Sequence, residues 1–108
     1  MAAVAAVAAL VPMRRAQSAD AAEATTHEVE ISRFAFVPAK LRVKPGDTII
    51  WANKDIAPHT ATGVDESWDT GEIVQNASMS IPVSSDMQTS YFCRFHPHMK
   101  AELMIESS

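Results

Sequence analysis

The sequence has little cysteine, little glycine and no long apolar run. Cys93 is the only cysteine among 108 residues, so the chain cannot form an internal disulfide. One thiol also cannot supply the Cys₄ or Cys₂His₂ set of a structural zinc site, or the thiolates of an iron–sulfur cluster. No Gly-rich turn, oxyanion-hole pattern or orienting acid accompanies the thiol, which argues against a catalytic cysteine.

The sequence also lacks a net positive charge and an apolar segment long enough to span a membrane. Nine basic residues against thirteen acidic ones give a net charge of −4, which offers no electrostatic footprint for nucleic acid or an anionic membrane. The N-terminal run MAAVAAVAALVPM is too short to cross a bilayer as a helix. We therefore expect no nucleic-acid partner and no stable membrane insertion. The chain length suits one domain, and we expect a monomer.

The first 24 residues differ in composition from the rest. Their apolar run has the length of a signal-peptide core, and the small residues after it offer cleavage sites. Arg14 and Arg15 follow the run instead of preceding it, which leaves an alanine-rich or disordered leader as the alternative. We expect residues 1–24 to be a signal peptide or disordered leader, residues 25–108 to be the folded domain, and the mature protein to be periplasmic.

From residue 27 onward the sequence alternates as β-strands do and has no helical period. β-branched and aromatic residues recur in short runs between turn residues. The predicted strands are HEVEIS (27–32), KLRVK (40–44), TIIWAN (48–53), SMSIPV (78–83), TSYFC (89–93) and AELMIE (101–106), with a short strand possible at 59–62. Pro82 favours an edge strand or an outward position. This pattern predicts an all-β antiparallel sandwich or barrel.

The core must hold the fold together without a disulfide. Apolar residues on one face of each strand make up the predicted core: Val29, Ile31, Phe36, Leu41, Val43, Ile49, Trp51, Ile81, Tyr91, Leu103 and Ile105. At ~25 cal/mol per Å² of buried apolar surface, such a core can stabilise about 85 residues.

A cluster of soft donors lies just before the last predicted strand. Cys93, His96 and Met99 follow one another at three-residue spacing in YFCRFHPHM, and His59 stands upstream in APHTA. Two imidazoles and a thiolate with a weak axial thioether form the donor set of electron-transfer copper sites. His98 is an alternative axial ligand, but we expect it to be an exposed neighbour.

The sequence resembles the cupredoxins, the small type 1 blue copper proteins, and most closely their amicyanin and pseudoazurin type. The resemblance extends over roughly residues 34–105, and the segments that carry it are RVKPGDTIIWAN, APH, WDTGEI and YFCRFHPHM. The resemblance implies a Greek-key β-sandwich and one type 1 copper ion that alternates between Cu(I) and Cu(II). The ligands carried over by position are His59, Cys93, His96 and Met99.

The same resemblance implies an electron carrier that is not itself an enzyme. Its expected partners are redox proteins of the dehydrogenase or cytochrome c type, which dock transiently at the face of His96. The alternative function is a periplasmic copper chaperone or resistance protein, which would bind the ion for delivery.

Two of the positions that depart from the family pattern lie next to predicted ligands. Thr60 stands where Asn or Ser often follows the first histidine, and we expect its hydroxyl to join the two ligand segments. Phe95 stands where Pro often precedes the second histidine. Because Phe95 has a backbone N–H, we expect it to add a hydrogen bond to the Cys93 sulfur and so raise the reduction potential.

Overall fold

The computed structural model of the protein describes residues 24–106, so most of the predicted leader, residues 1–23, lies outside the described part. That part contains eight strands: β1 (Thr26–Ser32), β2 (Ala35–Val37), β3 (Lys40–Val43), β4 (Thr48–Asn53), β5 (Thr62–Gly63), β6 (Ser78–Pro82), β7 (Ser90–Phe92) and β8 (Lys100–Ile105). Within residues 24–106, no helix offers an apolar stretch long enough to cross a membrane.

The strands form two four-stranded sheets, in the orders β2-β1-β4-β6 and β3-β8-β7-β5. The predicted all-β sandwich is confirmed, and β6, which contains Pro82, lies at a sheet edge as expected. The expectation of purely antiparallel pairing is wrong, because β1 pairs in parallel with β4 and β3 pairs in parallel with β8. Alternation within a strand reports which face is buried but carries no information on the direction of its neighbour.

The core fills the space between the sheets. Trp51 of β4 packs edge-on against Tyr91 of β7, with ring centroids 5.5 Å apart, and donates its indole N–H to the Tyr91 hydroxyl at 3.3 Å. Every predicted core residue is buried or packs against the buried cluster. Leu41, Ile81 and Ile105 are the members that remain partly accessible.

Three local features differ from the sequence-based expectation. Strand β2 was not predicted, because three residues are too few to show the alternation of apolar and polar residues. The strand expected at 59–62 is displaced to Thr62–Gly63. By alternation with Ile81, Met79 would face inward, but it is 43% exposed and lies on the edge strand β6.

A buried carboxylate joins the first strand to the turn before β4. Asp47 accepts hydrogen bonds from the backbone N–H groups of Thr25 and Lys44, both at 2.9 Å, and contacts the His27 imidazole at 2.9 Å. His27 is half-buried by this contact. Burial opposes ionisation of Asp47, but its hydrogen bonds with His27, Thr25 and Lys44 outweigh this and lower its pKa.

Candidate metal centre

Three of the four predicted ligand residues present their donor atoms to one another. The Cys93 sulfur lies 3.6 Å from Nδ1 of His59 and 3.5 Å from Nδ1 of His96, and the three donor atoms all lie within 4.8 Å of one another. His59 and Cys93 are fully buried, whereas His96 is half-buried. The two imidazole centroids are 4.8 Å apart.

The Cys93–Met99 loop is closed by its own backbone. Cys93 N–H donates to the Met99 carbonyl at 3.1 Å, His96 N–H to the Cys93 carbonyl at 3.1 Å, and Met99 N–H to the His96 carbonyl at 2.8 Å. These bonds form two successive tight turns between β7 and β8, so residues three apart come close together. Met99 ends the loop with a buried side chain. His98 is exposed, as expected.

His59 is fixed by the segment that follows β4. It exchanges two backbone hydrogen bonds with Ile73, at 3.1 and 2.7 Å. The fully buried Asn53 donates its amide to the Ala57 and Ile73 carbonyls at 2.9 and 2.8 Å. The loop that carries His59 therefore has few conformations open to it.

A carboxylate holds the far side of the His59 ring. Nε2 of His59 lies 2.9 Å from an Asp55 oxygen; since an ionised carboxylate can only accept, this nitrogen carries a proton, and in the neutral imidazole the lone pair is then on Nδ1. Partial burial opposes ionisation of Asp55. Hydrogen bonds from the Phe34 and Arg33 amides, at 2.9 and 2.8 Å, and from His59 outweigh it and lower the pKa of the carboxyl.

Phe34 covers the edges of both imidazoles. Its ring lies edge-on to His59 and His96, with centroid distances of 5.1 and 4.7 Å. Phe34 and its neighbour Arg33 both have positive φ, 58° and 54°, which side-chain-bearing residues rarely adopt. The Asp55 carboxylate accepts both of their N–H groups and so holds this turn against the histidines. Burial, followed by electrostatic interaction with His59 and His98, lowers the pKa of His96, and Asp55 opposes that shift.

Thr60 joins the two segments that carry the predicted ligands. Its N–H donates to the Cys93 sulfur at 3.4 Å, and its hydroxyl oxygen accepts the Arg94 N–H at 2.9 Å. The expected role of Thr60 is therefore seen. The expectation for Phe95 is wrong in this structure: among the described residues, the backbone donor to the sulfur is Thr60 and not Phe95.

Sequence reasoning missed Asn53, Asp55 and Phe34. The only advance signal for the first two is their position in the polar segment NKD between a strand and APH, which also suits an ordinary loop. Phe34 gives no signal, because its contact with the histidines depends on how the β1–β2 turn folds over the site.

The donor set suits a single metal ion. Metal–nitrogen and metal–sulfur bonds of about 2.0–2.3 Å place the donor atoms of one ion roughly 3–4 Å apart, and the distances from the sulfur to both Nδ1 atoms fall in this range. Two imidazoles and one thiolate, with a thioether residue at the loop end, match copper better than zinc or a hard cation.

Comparison with known proteins agrees with this chemistry. Residues 23–106 match the sequence model of the copper binding proteins of the plastocyanin/azurin family. Amicyanin-alpha of Methylorubrum extorquens is 27% identical over 90 residues, which span 79% of this chain and 76% of that protein. Amicyanin of Paracoccus versutus is 25% identical over 83 residues, or 72% of this chain and 63% of that protein.

Comparison with solved structures also finds amicyanins. The structure of an oxidized amicyanin mutant superposes with a TM-score of 0.68 at 22% identity, over 74% of this chain and 81% of that one. The family match and the His-Cys-His cluster together support one copper ion as the cofactor. The chain belongs to the plastocyanin/azurin family of copper-binding proteins, as a cupredoxin of the amicyanin-like kind.

Proposed function

We propose that this protein carries one electron at a time and that His59, Cys93, His96 and Met99 hold its copper ion. The observation that supports this best is the convergence of one thiol and two imidazole Nδ1 atoms, 3.5 and 3.6 Å from the sulfur, at a largely buried site. Membership of the copper-binding family supports the broader statement that this is a copper electron-transfer protein.

The chain's own contribution is a donor set fixed in advance. When bound, copper supplies a one-electron couple between Cu(I) and Cu(II), for which thiolate and thioether suit the first state and imidazole suits both. Asp55 keeps the His59 proton on Nε2, and the closed loop holds Cys93, His96 and Met99 close together. Because these residues are restrained before copper binds, little rearrangement is needed when the charge changes.

The proposed docking surface surrounds the half-buried His96. It consists of exposed apolar side chains next to the site in space or in sequence: Phe34, Ile56, Pro58, Phe95 and Pro97. Ile56 is 84% exposed, and Phe34 and Phe95 are close to half exposed. A small apolar surface of this kind suits weak, short-lived encounters. We propose redox proteins of the dehydrogenase or cytochrome c type as partners, a monomeric carrier, and no catalytic activity of its own.

We further propose that residues 1–24 form a leader removed on export, which would place the domain 25–108 in the periplasm. The support is the composition of the N-terminus. Cell fractionation and intact-mass measurement test this. A periplasmic protein beginning between residues 19 and 25 supports it, and an uncleaved cytoplasmic protein contradicts it.

Addition of Cu(II) to the purified protein tests the proposed function. We expect an intense blue colour from charge transfer between thiolate and copper, and its loss in Cys93→Ser. The matched control is His98→Gln, which removes an imidazole outside the donor cluster and should keep the colour. A pale complex that passes Cu(I) to an acceptor protein would contradict the carrier and favour the copper chaperone.

A further inference from the structure

A chain of hydrogen bonds runs from the loop residue after Cys93 to an acidic side chain at the surface. Arg94 N–H donates to Thr60 Oγ1 at 2.9 Å, Thr60 Oγ1 lies 2.9 Å from Thr62 Oγ1, and Thr62 Oγ1 donates to Asp69 Oδ1 at 2.8 Å. Both threonines are buried. Asp69 belongs to the WDTGEI segment, which supplies none of the proposed copper ligands.

The direction of every bond in this chain follows from Asp69. An ionised carboxylate accepts and cannot donate, and Asp69 stays ionised because hydrogen bonds from the Gly71 amide and Thr62, together with the Arg94 guanidinium, lower its pKa against the effect of burial. Thr62 must therefore use its proton on Asp69. Its oxygen then accepts the single proton of Thr60, which leaves the Thr60 oxygen able only to accept from Arg94 N–H.

The fixed direction matters because buried hydroxyls can otherwise rotate between partners. Without a defined acceptor, Thr60 could turn its proton toward Arg94, where two donors would oppose each other. Thr60 also donates its own N–H to the Cys93 sulfur at 3.4 Å. A Thr60 that is well placed therefore keeps both the start of the Cys93–Met99 loop and the hydrogen bond to the sulfur in position.

We propose that Asp69 is a positioning residue for the copper site, which it influences through Thr62 and Thr60 and without contact with the donor atoms. The proposal rests on the proposed electron-carrier function for its effect on copper. Its structural part, the orientation of the bond to Arg94 N–H, is a property of the chain alone.

Amide hydrogen exchange in the metal-free protein tests the structural part. In Asp69→Ala and Thr62→Val, we expect exchange of the Arg94 amide to quicken roughly tenfold or more, the factor set by one hydrogen bond of ordinary net strength. Thr62→Ser keeps the hydroxyl and should retain the wild-type rate.

Glu66→Ala is the matched control for charge. Glu66 lies 3.8 Å from the same Arg94 guanidinium but has no bond to Thr62, so its removal should leave the Arg94 amide rate unchanged. A wild-type rate in Asp69→Ala, or equal acceleration in Glu66→Ala, would overturn the proposal. If Asp69→Ala fails to fold, Thr62→Val still decides the test, because it breaks the same chain of hydrogen bonds without changing a charge.

The reduction potential of the copper-loaded protein tests the effect on the site. Hydrogen bonds to the sulfur favour the reduced state, so Thr62→Val should lower the potential and Thr62→Ser should not. Accelerated exchange with an unchanged potential would overturn the positioning role and leave the electron carrier intact. Failure of the wild-type protein to hold copper would instead overturn the proposed function, while the exchange result would still decide the orientation by Asp69.

Discussion

At the scale of single residues, the Asp55 carboxylate links the turn after β1 to the first histidine of the site. One carboxylate accepts the Arg33 and Phe34 amides and holds Nε2 of His59, all at 2.8–2.9 Å. Carboxylates that bind the distal nitrogen of a metal-ligating histidine fix its tautomer and ring orientation. Asp55 thus connects the β1–β2 turn, with its two positive-φ residues, to the chemistry of the site.

Replacement of this carboxylate should weaken copper binding. In Asp55→Asn, the amide can present a donor to Nε2, which then favours the His59 tautomer with its proton on Nδ1. We expect copper affinity to fall about 10–100-fold, measured by competition with a chelator of known affinity. Glu30→Gln removes one exposed charge elsewhere on the surface and should leave affinity unchanged. Wild-type affinity in Asp55→Asn would show that the hydrogen bond does not orient the ring.

Gly63 is needed for a close contact and not for an unusual backbone angle. A Cβ at this position would lie 2.8 Å from Nε1 of Trp68, whose indole N–H donates to the Gln88 carbonyl at 2.9 Å. We expect Gly63→Ala to destabilise the protein by about 1–3 kcal/mol through this overlap, as measured by urea unfolding. In a Trp68→Leu background the same change should cost much less. Equal costs in both backgrounds would exclude the contact as the cause.

The candidate ligand residues could be predicted from the sequence, whereas the residues that hold them in place could not. Cys93, His96 and Met99 are close in sequence, and their spacing reports a turn that brings them together. Asp55 and Phe34 act through the fold, because one bonds a ring four residues away and the other arrives from the β1–β2 turn. For Phe95, the sequence shows that the residue has a backbone N–H, but it does not show the direction in which that N–H points.

At the scale of elements, the strands were predictable where side chains alternate and not where backbone geometry decides. In β1, Val29 and Ile31 face the core while Glu28 and Glu30 face solvent, as the pattern requires. Strand β2 and the displaced strand β5 have three and two residues, too few for a period. The parallel pairing of β1 with β4 depends on long connections that the local pattern does not encode.

Asp47 joins two of these elements, and its removal should destabilise the fold in a pH-dependent way. The folded-state pKa lies below the ordinary value of 3.8, so the carboxylate stabilises the fold above that pH and loses this effect as pH falls through the folded pKa. We expect Asp47→Asn to cost about 1.5–3 kcal/mol at neutral pH and much less at a pH below the folded-state pKa.

Urea unfolding at several pH values measures this difference. Asp86→Asn is the control, since Asp86 is exposed and, among residues 24–106, its carboxylate bonds only the nearby Ser84 hydroxyl. His27→Gln separates the contribution of the imidazole that contacts Asp47. A cost for Asp47→Asn that stays constant from neutral to acid pH would contradict the assigned role of the charge.

At the scale of the whole molecule, the net charge and the exposed apolar surface have opposite effects on the encounter of two copies of the protein. The net charge of −4 makes two copies repel at long range, and added salt should weaken that repulsion. The exposed apolar side chains around His96 provide the short-range contact. Electron exchange between copies should therefore be faster at higher ionic strength and should depend on the apolar docking surface.

A charge placed in this surface should slow electron exchange. We expect Ile56→Lys to lower the rate of electron self-exchange by about tenfold at high salt, because an ammonium group must be desolvated at the contact. Nuclear magnetic resonance line broadening in mixtures of Cu(I) and Cu(II) protein measures the rate. Met104→Lys makes the same change on β8, away from the loop, and should leave the rate near that of the wild type. Equal slowing by both variants would place the contact elsewhere.

We propose that His59, Cys93, His96 and Met99 hold one copper ion that accepts and releases a single electron, and voltammetry of protein loaded with one equivalent of copper tests this. We expect one reversible one-electron couple per chain, which is lost in Cys93→Ser and kept in His98→Gln. Release of copper on reduction, or the same couple in Cys93→Ser, would contradict it.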